Sequence, residues 1–195
     1  SHNSFSDTKN NGKTMASFFS GWPKERIAQF YIYEEIPDMA VCENFFRITD
    51  RDVFMYFLKK TGTILRNVDA SLGVKINQSN IKEFKSKEGN SLKKSSCLKS
   101  FFEIFFKKRF PVAIFIRDYL WNREYWKNDA FELWIDEFNP DVIFFQTSNY
   151  SFPYKIVSWI CRRQSAPVVM QITDDYLTPL FSINPFARYH NTLLL

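Results

Sequence analysis

The sequence predicts an α/β fold, a parallel β-sheet with helices on both faces, and three observations predict it. Two short apolar runs, residues 142–145 and 167–172, each enter from a proline or a Pro-Asp step and end in polar residues. Between them Ile156, Val157, Ile160 and Cys161 recur at helical spacing, with Ser151 placed as an N-cap and Pro153 in the first turn. Strand, helix and strand of this length make a βαβ unit, and near-continuous apolar strands suit a parallel sheet covered on both sides. Ligands of such sheets sit outside the carboxyl ends of the strands. Chemistry is therefore expected first at Gln146, Thr147 and Asn149, and at Asp174, Asp175 and Tyr176.

The remaining elements follow from the start of the chain. Residues 1–7 read as loop, and Asn10-Asn11-Gly12-Lys13-Thr14 opens a helix over 15–20 that stops at Gly21-Trp22-Pro23. A loop opening a helix normally follows a strand in α/β domains, so a first strand is expected ahead of Ser1. Residues 26–33 and 44–49 read as strands, separated by a loop around Pro37-Asp38, and Asp50 is placed to cap a helix over 53–60. Residues 61–97 are rich in Lys, Ser and Asn with weak periodicity and read as a mobile insertion or long loop. Leu98, Phe101, Phe102, Phe105 and Phe106 then form an aromatic helical face, and a second helix is expected over 112–121 after Pro111. Asp129-Ala130-Phe131-Glu132 has the spacing of a capping box, and Phe131, Trp134, Ile135 and Phe138 line one face of its helix. All 195 residues are expected to form one domain around the central βαβ unit.

Composition narrows the classes. A hydrophobic content of 45% with 22 Phe excludes a disordered chain. No apolar run reaches the roughly 18–20 residues of a membrane span. Cys42, Cys97 and Cys161 are far apart with no Cys-x-x-Cys spacing, which fits buried free thiols in a reducing cytoplasm. Only two histidines occur, so no metal and no cofactor are expected. The net charge of +5 is uneven: residues 59–109 hold thirteen Lys and Arg against four Asp and Glu, which leaves −4 for the rest. A basic segment on an acidic body points to an anionic partner.

Three constellations could carry chemistry. Asn11, Gly12, Lys13 and Thr14 at a helix start present backbone N–H groups and a positive dipole end to a phosphate. An ordinary Asn-Gly turn before a helix explains the same residues. Asp174 and Asp175 could accept a proton or hold a hydroxyl-rich ligand, although neighbours on an extended strand point oppositely and a solvated helix cap is the plainer reading. The Phe/Lys stretch 98–109 could lie on an anionic membrane surface, or bury its rings in the core with its lysines in water. No recognisable nucleic-acid module is present.

In order, these motifs resemble the opening of bacterial GT-B glycosyltransferases, most closely the family-4-like enzymes of capsular and surface polysaccharide synthesis. The resemblance rests on His2-Asn3-Ser4-Phe5 with Asn11-Gly12-Lys13-Thr14, on Gly21-Trp22-Pro23, and on Ile27-Ala28-Gln29-Phe30-Tyr31. It continues through residues 42–50, 117–121 and 138–144 to Pro167 and Asp174-Asp175-Tyr176, and omits the basic stretch. It implies a Rossmann-like N-terminal half, with the first strand and the nucleotide-sugar domain outside these residues. The activity implied is retaining hexosyl transfer from a nucleotide sugar to a glycan or lipid-linked acceptor, in the cytoplasm or at the inner membrane face. This half alone is expected to be inactive. Asn11, Gly12, Lys13 and Thr14 would approach the donor diphosphate; Gln146, Thr147, Asn149 and Tyr176 would line the sugar-acceptor side. Asp174 and Asp175 fall where many relatives carry a histidine motif facing the cleft. A non-catalytic Rossmann-like module docking on a membrane or a protein is the other reading.

Overall fold

The computed structural model describes residues 1–8, 10–62, 72–94 and 111–172. In chain order it has α1 (Asn10–Phe18), a 3-10 turn (Lys24–Arg26), β1 (Ala28–Tyr31), β2 (Asn44–Arg47), α2 (Asp50–Lys60), β3 (Val74–Ile76) and α3 (Ile81–Lys94). These are followed by α4 (Pro111–Asn122), α5 (Asp129–Phe138), β4 (Ile143–Gln146), α6 (Phe152–Gln164) and β5 (Val168–Gln171). The result is a mixed α/β chain with two small sheets, β1-β2-β3 and β4-β5. It divides into two compact units, Ser1–Ser96 with Asn128–Trp134, and Cys97–Lys127 with Ile135–Leu195. Among the described residues no helix is long and apolar enough to cross a membrane.

In the first unit β1 and β2 run parallel, Ala28 opposite Asn44 through Tyr31 opposite Arg47. Residues 32–43 make the crossover that a parallel pair requires, without a helix. The third strand pairs antiparallel with β2, Phe45 opposite Ile76, so this sheet is mixed rather than wholly parallel. β2 buries Phe45, Phe46 and Arg47 in succession, the pattern of a strand covered on both faces. Phe131 and Trp134 of α5 stack on each other and lie 5.2 and 5.4 Å from the Phe46 ring, while the Trp134 indole N–H donates to Asn44 Oδ1 at 2.7 Å. Tilted ring contacts of this kind add about 0.5–1.5 kcal/mol per pair beyond the area buried.

The described part of 61–97 differs from the loop expected there, since it holds β3 and α3. Gly73, at φ +94°, permits the turn into β3, and a Cβ there would lie 2.5 Å from the Phe46 ring. Asn77 and Asn80 close the turn into α3: the Asn77 amide donates to Asn80 Oδ1 at 2.9 Å and the Asn80 side-chain amide donates to the Lys75 carbonyl at 2.7 Å. Among the described side chains of α3, Ile81 and Phe84 are buried, and the Arg47 guanidinium lies over the Phe84 ring at 4.6 Å. The aromatic stretch 98–109 lies outside the described residues.

Caps fall one residue earlier than the sequence pattern places them. Thr49, not Asp50, caps α2: its hydroxyl accepts the Asp52 amide at 3.1 Å, and the Asp52 carboxylate accepts the Thr49 amide at 2.8 Å. Burial pushes the Asp52 carboxyl up, against the smaller downward pull of the Thr49 hydrogen bonds. At α5 the Asn128 side chain accepts the Phe131 amide at 3.1 Å, so Asp129 and Glu132 are not the box. A capping side chain must precede the first helical amide, and both neighbours sit inside the helix.

Candidate functional site

The second unit contains the expected βαβ unit. β4 and β5 pair in parallel, Ile143 opposite Val168 through Gln146 opposite Gln171, with α6 between them in sequence. At the carboxyl end of β4 the Thr147 amide and hydroxyl both donate to the Gln171 carbonyl, at 3.0 and 3.1 Å. This double bond extends the pairing one residue past the strand and fixes the turn that follows. Tyr154 of α6 brackets Ser148: its hydroxyl donates to the Ser148 carbonyl at 3.0 Å and accepts the Ser148 amide at 3.4 Å. The Ser148 hydroxyl accepts the Tyr150 amide at 3.2 Å. Thr147 and Ser148 are thus buried and internally engaged, while Asn149 is exposed at the rim and Gln146 is half-buried.

Beneath this turn stands a polar cluster from α4. Asp118, 1% exposed, accepts the Ser151 hydroxyl at 3.3 Å. Asn122, one helical turn on, donates from Nδ2 to the Asp118 carbonyl at 2.7 Å and to the Ser151 hydroxyl at 3.0 Å. Arg117 lies over the Tyr150 and Phe152 rings at 4.4 and 5.5 Å, and Trp121 stacks on Phe152 at 4.6 Å. Ser151 does occupy the N-cap position of α6, yet its own side chain makes no cap bond. Its hydroxyl is turned to α4 instead. Among the described residues Asn122 Oδ1 and Gln171 Oε1 are buried atoms with no hydrogen-bond partner. Each is an acceptor that a hydroxyl donor would satisfy.

The other end of α6 is tied down as well. Arg163 forms a bidentate pair with Asp136, Nε to Oδ1 at 2.8 Å and Nη2 to Oδ2 at 2.7 Å, and Gln164 adds a third donor at 2.7 Å. The Arg163 hydrogen bond holds the exposed Asp136 carboxyl below the usual aspartate range.

Asn11, Gly12, Lys13 and Thr14 belong to the first unit and lie within α1, not in a loop before it. Gly12 is buried against the chain itself: a Cβ there would overlap the Ser4 carbonyl oxygen and lie 2.9 Å from Ser6 Cβ. The close approach that its hydrogen permits is thus made by residues 4–6. That segment is held in turn by the Glu35 carboxylate, which accepts the Ser4 amide at 3.1 Å, and by Gln29 Oε1, which accepts the Phe5 amide at 2.8 Å. Asn11, Lys13 and Thr14 are exposed on the helix.

No family model, curated protein or solved structure matches the chain. Of the residues singled out in the sequence, Gln146, Thr147 and Asn149 are brought together at the end of β4. Asp174, Asp175 and Tyr176 lie outside the described residues. Asp118, Asn122 and Ser151 were not legible as a cluster. The signal was present in part, since Arg117-Asp118 interrupts an otherwise apolar helical run and Asn122 follows at i+4. Among the described residues no three His, Cys, Asp or Glu side chains are grouped to hold a metal ion.

Proposed function

We propose that this chain is the Rossmann-like, acceptor-side part of a GT-B glycosyltransferase that moves a hexose from a nucleotide sugar to a glycan or lipid-linked acceptor. The observation that carries this reading is an uncharged hydroxyl- and amide-bearing turn, Gln146, Thr147, Ser148 and Asn149, at the carboxyl end of a parallel βαβ unit. The Gln146 and Asn149 side-chain amides offer a sugar both donors and acceptors without the desolvation cost of a charge, while the buried Thr147 and Ser148 hold the turn between them. Internal bonds fix the turn before any ligand arrives, which lowers the entropy lost on binding. In the reaction, the bond from the anomeric carbon to the diphosphate oxygen breaks and a bond to an acceptor hydroxyl forms. The hydroxyl proton is released and the nucleoside diphosphate departs. On this reading the chain's own residues bind and orient the accepting hydroxyl. The motif order His2 to Tyr176 contributes the family resemblance, and the activity is placed in the cytoplasm or at the inner membrane face.

The test is to purify the native gene product from its own cells and offer it a panel of labelled nucleotide sugars with and without oligosaccharide acceptors. Donor-dependent transfer or slow donor hydrolysis is the expected result. Glycan binding without either activity would leave a sugar-binding module in place of a transferase. No binding of any donor or glycan would remove the reading altogether.

A further inference from the structure

We infer that Gln171 joins Gln146 in a paired-amide site for two neighbouring hydroxyls of one sugar ring. The inference rests on the reading of the β4 turn as a sugar site, and it names the group that the site takes. Gln146 and Gln171 are direct partners in the parallel register of β4 and β5, and each is the last residue of its strand. Registered partners send their side chains to the same face of a sheet, from strands about 4.8 Å apart. Two primary amides therefore stand side by side at the carboxyl edge of the βαβ unit, where ligands of such sheets sit. The backbone beneath them is fixed, because the Thr147 amide and hydroxyl both donate to the Gln171 carbonyl, at 3.0 and 3.1 Å.

The fold makes no use of either amide. Among the described residues neither side chain makes a hydrogen bond, to the other or to a third group. Both residues are half-buried, and Gln171 Oε1 is a buried atom without a partner. A buried acceptor left without a donor destabilises a fold. The pairing of β5 with β4 would be served as well by an apolar side chain, such as those of Val168, Val169 and Met170.

The chemistry of the pair selects the ligand. Oε1 carries no proton, so its partner must donate one. An ionised diphosphate or carboxylate presents acceptors and would leave it unsatisfied. An ammonium group would call for a negative side chain, and Gln146, Thr147, Ser148, Asn149 and Gln171 are all neutral. A hydroxyl both donates and accepts, as a primary amide does. Two hydroxyls on adjacent ring carbons can each give a proton to one Oε1 and accept one from one Nε2. The pair thus fits the accepting sugar rather than the nucleoside diphosphate.

The experiment is calorimetric titration of the full chain with neutral oligosaccharides of glucose, galactose and mannose, and with inorganic phosphate, beside urea unfolding of the same samples. The parent should bind at least one of the oligosaccharides, and phosphate should not displace it. Gln171→Met should weaken that binding about tenfold, through one lost hydrogen bond and a ligand hydroxyl left unpaired. Its urea midpoint should equal or exceed the parent's, because the unpartnered oxygen is gone. Parent-like affinity in Gln171→Met would overturn the paired site while leaving a sugar site on the turn. A clearly lower midpoint would show that the fold uses the amide and would overturn it as well. Displacement of the oligosaccharide by phosphate would reassign the pair to an anion. A parent that binds none of the oligosaccharides would remove both the pair and the sugar site it rests on.

Discussion

Gly12→Ala separates packing from phosphate recognition at the start of α1. On an exposed helix this exchange stabilises by about 1 kcal/mol, because alanine restricts the unfolded chain and favours the helix. Here the added methyl would overlap the Ser4 carbonyl oxygen and sit 2.9 Å from Ser6 Cβ and 3.2 Å from the Ser6 amide nitrogen. Ordinary contact begins at 3.4 Å. The neighbours cannot withdraw cheaply, since Glu35 holds the Ser4 amide and Gln29 holds the Phe5 amide. Forced overlap in a packed site costs about 1–3 kcal/mol. The helix gain offsets part of this, and a net loss of about 1–2 kcal/mol remains. Urea unfolding followed by far-ultraviolet circular dichroism reads the change as a lower midpoint at unchanged slope. A midpoint that stays or rises would refute the packing of residues 4–6 on α1. The glycine would then have to be explained by a ligand instead.

Other outcomes follow from single contacts. Asp118→Ala leaves the Ser151 hydroxyl without its carboxylate acceptor in a buried site and should cost about 1–3 kcal/mol, read by the same unfolding assay. Arg163→Ala should raise the Asp136 pKa toward its ordinary 3.8, read by carbon-detected NMR titration. Because that pKa is depressed in the folded chain, the pair's contribution is present above pH 3.8 and is lost as pH falls through the lowered value. Arg163→Ala and its parent should therefore converge in stability under acid conditions. Burial pushes the Cys42 thiol up to about 12, so a thiol reagent at neutral pH should label Cys42 only on unfolding and at the global unfolding rate.

The parts of the fold that were legible are those whose signal is local. β4, α6 and β5 announce themselves through entry prolines, β-branched runs and the Ile156–Ile160 spacing, and their parallel pairing follows from the length of the helix between them. α3 was hidden because Ile81 and Phe84, buried among its described side chains, stand in a lysine-rich stretch with too little apolar repetition to raise a periodic signal. β3 is three residues long and largely exposed, so its strand character comes from pairing with β2, which local sequence does not encode. The site shows the same division. Gln146, Thr147 and Asn149 are consecutive with a recognisable strand, and chain order alone places them. The diversion of Ser151 to Asp118 joins residues 33 positions apart, and Gly12 is explained by a segment that arrives beside it only after folding. Such contacts are products of packing.

The most direct test of the central claim is an NMR titration of the labelled full chain with neutral oligosaccharides. The account predicts saturable amide shifts at Gln146, Thr147, Ser148 and Asn149, with smaller changes at Asn122 and Ser151, the residues that support the turn. Shifts confined to other surfaces, or none with any oligosaccharide, would contradict the assignment of the β4 and β5 carboxyl ends as a sugar-binding site.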